Sequence, residues 1–154
     1  MPNPHANEDK FRNKFQEKYG VGSLAGEKRY PSQATADMAE ISCDLSLEDN
    51  GRLVLIEVDS CTTTKPVVGQ YVLLNGLCNR DLSKTLFLVI HYAKDFNPQR
   101  TRKYLQFVRQ MLGERGGLRY AAFTSDDFFK ICKRCDTVAE LVVALFKIAS
   151  DDPA

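Results

Sequence analysis

Apolar residues recur along this chain with the spacing of helices and strands, so their pattern predicts most of the secondary structure. Phe11, Phe15 and Tyr19 stand four residues apart in a charged segment and predict an amphipathic helix over residues 9–19. Residues 20–38 contain three glycines and a proline in a polar setting, which indicates a loop.

A β-hairpin is predicted next. Residues 41–47 alternate strictly between apolar and polar, as in a strand with one buried face. Asn50 and Gly51 form a typical hairpin turn, and the apolar segment 52–59 is predicted to return antiparallel to the first strand. The apolar side chains expected on the shared face of the first strand are Ile41, Cys43, Leu45 and Leu47.

The remaining segments alternate between helix and strand. Ser125 is the predicted cap of one helix, and Thr137 with Glu140 forms a predicted capping box for the last one. A hairpin followed by alternating helices and strands predicts an α/β fold (a mixed, α+β-like sheet) with helices flanking a central mixed β-sheet. The predicted segments are helix 66–77, strand 84–92, helix 97–113, strand 118–124, and helices 126–135 and 138–150.

Length and charge set broad limits on the class of protein. A chain of 154 residues is long enough for one domain with a real core, and we predict a disordered tail over residues 1–8 and a single domain over residues 9–150. Lys and Arg number 21 against 20 Asp and Glu, for a net charge of +1. This balance neither favours nor excludes a nucleic-acid partner, because a local basic patch can exist within a neutral total.

The chain has the features of a cytoplasmic protein. No segment approaches the roughly 18 consecutive apolar residues of a membrane span, and the N-terminus lacks the apolar core of a signal peptide. The five cysteines have no disulfide-framework spacing, which suits a reducing compartment. Cys132 and Cys135 form a lone CxxC without further zinc ligands, so we expect them to pack as small apolar groups.

Two carboxylates interrupt the apolar segment of the second hairpin strand. Residues 53–56 run directly into Glu57 and Asp59, although an unpaired carboxylate away from water is costly. These two acids share a strand face, and the hairpin turn brings Asp44 opposite them. Clustered carboxylates at one end of a rigid sheet are hard ligands for Mg²⁺ or Mn²⁺. The alternative is that each acid faces solvent where its strand ends.

This arrangement resembles the site of the PD-(D/E)XK nuclease superfamily, which has an acid on one strand, acid-x-lysine on the next, and a helix carrying Gln or Lys with Tyr. Asp44 matches the first acid, Glu57 the second, and Gln70 with Tyr71 the helix residues. The order of predicted elements over residues 9–124 is also similar to that of the family core. The resemblance implies a restriction-endonuclease-like core, a Mg²⁺ or Mn²⁺ cofactor, and metal-dependent hydrolysis of phosphodiester bonds in DNA.

The sequence departs from the family pattern at the lysine position, which is Asp59. One explanation is that Asp59 is a second acid, acting as an additional metal ligand or base. Another is that Lys65 reaches back as a relocated lysine, with Gln70 as a further polar catalytic residue. A third is that the site is inactive and the fold is kept for binding nucleic acid or a protein partner. Without the resemblance, Asp59 is simply the residue at which its strand ends and the loop begins. Lys65 is then an exposed loop lysine, and Gln70 is an ordinary position on a helix.

Basic residues crowd the segment around the third predicted helix. Most such charges only solvate a helix, and here they do not form a single stripe; in a nuclease they would contact the phosphate backbone. The leading hypothesis is therefore a Mg²⁺-dependent DNA endonuclease, with a homodimer expected for cutting both strands. The predicted nucleic-acid-binding residues are Lys94, Arg100, Arg102 and Lys103.

Overall fold

The structure, a computed structural model, describes residues 3, 5–31, 39–113 and 117–151. No helix within these ranges is both long and apolar enough to cross a bilayer. In chain order the elements are α1 (Ala6–Tyr19), β1 (Lys28–Pro31), β2 (Glu40–Cys43), β3 (Leu45–Asp49), β4 (Arg52–Asp59), α2 (Lys65–Leu77), a 3₁₀ turn (Leu82–Lys84), β5 (Thr85–His91), α3 (Pro98–Met111), β6 (Arg119–Thr124), α4 (Ser125–Lys133) and α5 (Val138–Asp151).

A four-stranded mixed sheet organises the fold, in the order β3-β4-β5-β6. Strand β3 runs antiparallel to β4, whereas β4, β5 and β6 are parallel. The predicted hairpin turn is confirmed, because Asn50 and Gly51 have φ values of 48° and 78°, the positive pair that a tight hairpin requires. The α/β class predicted from the sequence is therefore correct.

The two faces of the sheet have separate cores. Alternation along β4 places Val54 and Ile56 against α1, α4 and α5. The residues between them, Leu53 and Leu55, pack against α2 and α3. The fold is thus a three-layer arrangement of helices, sheet and helices, and every odd-numbered side chain of β4 points toward the α2–α3 layer.

The predicted first helix is confirmed and is longer at its start. Phe11 and Phe15 are fully buried, and the Tyr19 hydroxyl lies 3.2 Å from the carbonyl of Cys132 and 2.9 Å from that of Cys135. Both cysteines are buried in the same core, as expected for small apolar groups. Because α1 begins at Ala6, part of the predicted tail is helical; residues 1, 2 and 4 lie outside the described residues.

The strand predicted over residues 41–47 is broken at Asp44, which lies in a bend. Residues before the bend form β2 and pair with β1, which falls in the predicted loop; residues 32–38 of that loop lie outside the described part of the chain. Cys43 packs in the α2–α3 core, whereas Leu45 and Leu47 pack in the opposite one. The prediction that these apolar residues share one face is therefore wrong. The bend at Asp44 interrupts the two-residue alternation of the strand, so the side chains after it point to the other face of the sheet.

Two predicted helix caps also need correction. The hydroxyl of Thr124, not that of Ser125, accepts the N–H of Asp127 at 3.1 Å and caps α4. At α5, Thr137 accepts the N–H of Glu140 as predicted, at 3.1 Å. The Glu140 carboxylate, however, accepts the N–H of Asp136 at 2.9 Å, one residue earlier than a regular capping box requires.

Candidate functional site at the strand ends

The predicted acids lie at the same edge of the sheet. Strands β4 and β5 are parallel and end together, with Asp59 paired in register with His91. Strand β3 runs the other way, so its first residues, which follow Asp44, lie at the same edge. The carboxyl ends of parallel strands are a common place for ligand sites in α/β proteins. The fold thus brings together residues that are distant in sequence.

Asp44 continues the β3–β4 ladder with its side chain. Its Oδ2 accepts the N–H of Val58 at 2.9 Å, in place of a main-chain carbonyl. Burial raises the pKa of the Asp44 carboxyl; the Val58 N–H opposes this rise, and the charges of Glu8 and Glu27 add to it. The same acids, with Asp44, line an open cleft of about 480 Å³ beside the N-terminal end of α1. Asp44 therefore has access to solvent on this side.

Glu57 is half-buried beneath α2. Its Oε2 accepts the Gln70 amide at 2.7 Å and has a longer contact of 3.4 Å with the Asp44 N–H. Burial, and after it the charge of Asp44, raises the pKa of Glu57 to about 8, while the donated hydrogen bonds oppose the rise. Among the described residues, no Lys, Arg or His forms an ion pair with Glu57. At neutral pH this carboxyl therefore retains its proton unless positive charge is brought to it.

Gln70 holds Glu57 in place. Its Nε2 donates to Glu57 and also to the carbonyl oxygen of Ser42 at 2.8 Å, so it links α2 to β4 and β2. The carbonyl of Ser42 can only accept a hydrogen bond, which fixes the orientation of the amide. The neighbouring Tyr71 is fully buried and donates its hydroxyl to the carbonyl of Leu118. Tyr71 is therefore a core residue, whereas Gln70 contacts the candidate site.

Asp59 belongs to a second, internal network. Its Oδ2 lies 3.1 Å from Nδ1 of His91, and its Oδ1 accepts the N–H of Cys61 at 3.3 Å. The other ring nitrogen of His91 lies 2.9 Å from the hydroxyl of Thr101 on α3, and Phe96 stacks on the imidazole at 4.2 Å. His91 and Thr101 are buried. Both carboxylate oxygens of Asp59 thus have partners.

Lys65 lies outside the carboxylate cluster. It is the first residue of α2, its side chain is exposed, and it lines an open groove together with Arg100 and Tyr104. Within the described part of the chain it forms no hydrogen bond or ion pair with Asp44, Glu57 or Asp59. The structure therefore gives no direct contact for the predicted relocated lysine.

Asp44 and Glu57 offer carboxylate oxygens, the type of ligand that a small hard cation prefers. Mg²⁺ usually binds one or two carboxylates and completes its shell with water and substrate phosphate oxygens. No group of three or more His, Cys, Asp or Glu side chains converges as a metal-ligand set in the described residues. The predicted third ligand, Asp59, is accordingly directed to His91 instead. The donor chemistry of these two side chains suits Mg²⁺ or Mn²⁺, and the contact that joins them runs from the main-chain N–H of Asp44 to Oε2 of Glu57.

The predicted phosphate-binding residues divide into two groups. Lys94, Arg100 and Lys103 are exposed. Arg102 is half-buried, donates from Nη2 to the carbonyl of Ala122 at 2.6 Å, and lies 5.5 Å from the Phe123 ring centroid. Its guanidinium joins α3 to β6, and its predicted contact with nucleic acid stays a prediction.

Sequence reasoning missed the partners of Asp59. The sequence alone identifies His91 only as a residue near the end of a predicted strand, because parallel pairing of two separated strands has no local signal. It gives Thr101 no role beyond its place in a predicted helix, since that role depends on the approach of α3 to the end of β5. The one signal in the sequence for this network is that both predicted strands carry a polar residue near their ends.

Comparison of the chain with protein-family models, curated proteins and solved structures finds no match. The class that the fold defines is a three-layer α/β protein with a mixed four-stranded sheet. The resemblance to PD-(D/E)XK nucleases therefore depends on Asp44, Glu57 and Gln70 and on their mutual geometry.

Proposed function

We propose that the protein is a Mg²⁺- or Mn²⁺-dependent DNA endonuclease of the PD-(D/E)XK type. The supporting observation is Glu57, a half-buried carboxyl that is hydrogen-bonded to Gln70, adjacent to Asp44, and without an ion-pair partner among the described residues. Burying an acid in this way costs stability. A function that brings a cation to Glu57 would account for that cost.

The residues of the proposed centre have separate tasks. Asp44 and Glu57 would supply the oxygens that hold the cation; the Val58 N–H fixes Asp44, and Gln70 fixes Glu57. When bound, the cation supplies positive charge to the scissile phosphate and lowers the pKa of a bound water. Asp59 is proposed as a positioning residue, because its pairing with His91 fixes the ends of β4 and β5 beside the centre.

A second candidate is a nuclease-fold module that binds nucleic acid or a protein partner without catalysis. The observation that favours it is the missing lysine equivalent: Asp59 is engaged by His91, and Lys65 has no contact with the acids in the described part of the chain. Metal dependence separates the two candidates, since only the enzyme requires Mg²⁺ or Mn²⁺.

The test is cleavage of supercoiled plasmid and of circular single-stranded DNA in Mg²⁺, in Mn²⁺ and in EDTA. We expect cleavage in either metal and none in EDTA. Removing a group that stabilises charge at a reacting centre typically costs about 100-fold or more, so we expect at least that loss for Glu57→Gln and Asp44→Asn. Glu17→Gln, at an exposed position of α1, is the matched control and should cleave normally.

Two results would contradict the proposal in different ways. Normal cleavage by folded Glu57→Gln would remove this residue from the mechanism. Folded wild-type protein that neither cleaves DNA nor binds Mn²⁺ would contradict the proposal of an enzyme and would favour the non-catalytic binding module.

Assembly and location complete the proposal. Cutting both strands of a duplex calls for two centres, so we propose a homodimer, which sedimentation velocity would detect. We also propose a cytoplasmic location, because all five cysteines are free thiols, as a reducing compartment would keep them.

A further inference from the structure

A continuous groove runs along α3 beside the start of α2. Two aromatic side chains one turn apart on α3, Tyr104 and Phe107, are 50% and 61% exposed. With Arg100 and Lys103 they line an open cavity of about 470 Å³. A second cavity of about 320 Å³, lined in part by Lys65, shares Arg100 and Tyr104 with the first. We call these five residues the α2–α3 groove.

The charge of the α2–α3 groove has a single sign. Lys65, Arg100 and Lys103 are its charged residues, and no Asp or Glu among the described residues lines either cavity. Large aromatic side chains are usually buried, so two of them exposed beside three cations need an explanation. A ligand that is both anionic and rich in aromatic faces complements this surface better than a purely apolar one.

The groove also begins next to the candidate site. Lys65 follows the loop that leaves the end of β4, and Arg100 lies in the first turn of α3, which starts near the end of β5. Both positions are therefore at the sheet edge where Glu57 and Asp59 lie. A chain-like ligand in the groove would extend toward the carboxylates.

We infer that the α2–α3 groove binds single-stranded nucleic acid, with Tyr104 and Phe107 stacking on unpaired bases and Lys65, Arg100 and Lys103 contacting phosphates. Stacking requires bases whose faces are free, which a continuous duplex does not offer. The inference deepens the proposed function, on which its connection to cleavage rests, by naming DNA that contains an unpaired strand as the form of substrate. Binding itself needs no metal, so it can be tested without cleavage.

The experiment is fluorescence anisotropy in EDTA across a series of salt concentrations. The probes are oligo-dT and oligo-U of about 12 nucleotides, within the site size of known single-strand binders, and a blunt duplex of equal length. We expect both single strands to bind more tightly than the duplex. The oligo-dT and oligo-U arms distinguish DNA from RNA as the source of the strand.

Two double variants separate stacking from charge. Tyr104→Ala with Phe107→Ala should weaken single-strand binding about tenfold or more and leave the salt dependence unchanged. Arg100→Gln with Lys103→Gln should reduce the slope of log K against log salt by about 1.4, since each phosphate that a cation neutralises adds roughly 0.7 to that slope.

Matched controls lie on the opposite layer. Val143→Ala with Ile148→Ala removes exposed apolar groups from α5, and Lys133→Gln with Lys147→Gln removes two exposed cations from α4 and α5. Both controls should bind like wild type, with circular dichroism verifying the fold of every variant. Binding is measured in EDTA and cleavage in Mg²⁺, so a failure of cleavage and a failure of binding are distinguishable.

Three results would overturn the inference. The first is folded wild-type protein that binds no single strand, and the second is equal binding by wild type and both groove variants. The third is a wild-type dimer that Tyr104→Ala with Phe107→Ala converts to monomers, which would assign the groove to contact between copies of the chain.

Discussion

Burial of the Glu57 carboxyl has an energetic cost that can be measured. This carboxyl is half-buried beside a second acid and is stabilised chiefly by the Gln70 amide. Such a group is more stable protonated than charged, because burial and the neighbouring negative charge both oppose ionisation. The protein therefore holds an acid that a nearby cation would convert to its charged form, and this has a measurable consequence for stability.

Glu57→Gln should change the pH dependence of folding. The pKa of Glu57 rises from 4.5 to about 8 in the folded state. Between these values the unfolded chain has released the proton and the folded chain keeps it, so the free energy of unfolding falls as pH rises. The variant lacks this loss, so its stability relative to wild type should rise by a few kcal/mol between about pH 4.5 and about pH 8. Urea denaturation in EDTA at several pH values measures the difference.

The control for this titration is Glu17→Gln, where the carboxyl is exposed. Its stability should follow wild type at every pH. If wild type and Glu57→Gln gave parallel curves between pH 5 and 8, the burial of a protonated Glu57 would be wrong. Asp44, whose pKa is also raised, should contribute a smaller effect of the same sign.

At the scale of elements, the His91 network joins two strands and a helix. The imidazole lies between Asp59 at the end of β4 and Thr101 on α3, under the ring of Phe96. Thr101→Val keeps the shape of the side chain but leaves a buried ring nitrogen of His91 without its partner. We expect a loss of about 1–3 kcal/mol in the free energy of unfolding, measured by urea denaturation.

Thr62→Val, in the exposed loop after β4, is the matched control and should be nearly neutral. Equal stability of Thr101→Val and wild type would show that this hydroxyl does not hold the imidazole.

The elements that could be predicted are those with local signals. The Phe11 and Phe15 stripe and the Asn50-Gly51 turn depend on neighbours in sequence, and both appear as expected. The bend at Asp44 could not be predicted, because β2 leaves the main sheet to pair with β1. Alternation along the sequence continues through the bend although the strand does not, which is why the expected common face was wrong.

The candidate site was predictable in part, for the same physical reason. Glu57 stands out in the sequence because an acid interrupts an apolar strand, and the predicted hairpin turn places Asp44 opposite it. The family resemblance adds Gln70, and both Asp44 and Gln70 contact Glu57. The engagement of Asp59 by His91 depends on parallel pairing across a helical connection, which leaves no trace in sequence spacing.

On the scale of the whole molecule, the two helical layers have different roles. The layer of α1, α4 and α5 buries the larger aromatic cluster of Phe11, Phe15 and Phe128. The layer of α2 and α3 provides Gln70 to the carboxylates and an exposed groove beside them. A ligand on the second layer would therefore leave the first core undisturbed, and its binding should appear as added stability of the folded state as a whole.

Divalent cation should raise the melting temperature through Asp44 and Glu57. A ligand that binds only the folded state at 100 times its Kd adds about 2.7 kcal/mol, and about 2–4 °C per kcal/mol is typical for a chain of this length. We expect Mn²⁺ to raise the wild-type Tm by several degrees over EDTA, and to have no effect on Glu57→Gln or Asp44→Asn. Scanning calorimetry measures both values on the same preparation.

The same measurement separates the roles of Asp59 and Lys65. Because both oxygens of Asp59 already have partners, Asp59→Asn should lower the Tm in EDTA, through its weakened pairing with His91, and keep the Mn²⁺-induced rise. Lys65→Ala, at an exposed position, should change neither value. A Mn²⁺ effect lost in Asp59→Asn would instead make Asp59 a third ligand, which requires the carboxylate to leave His91 when the cation binds. That outcome would mean that the end of β5 rearranges on metal binding, and it would couple the centre to α3 and the groove through Thr101.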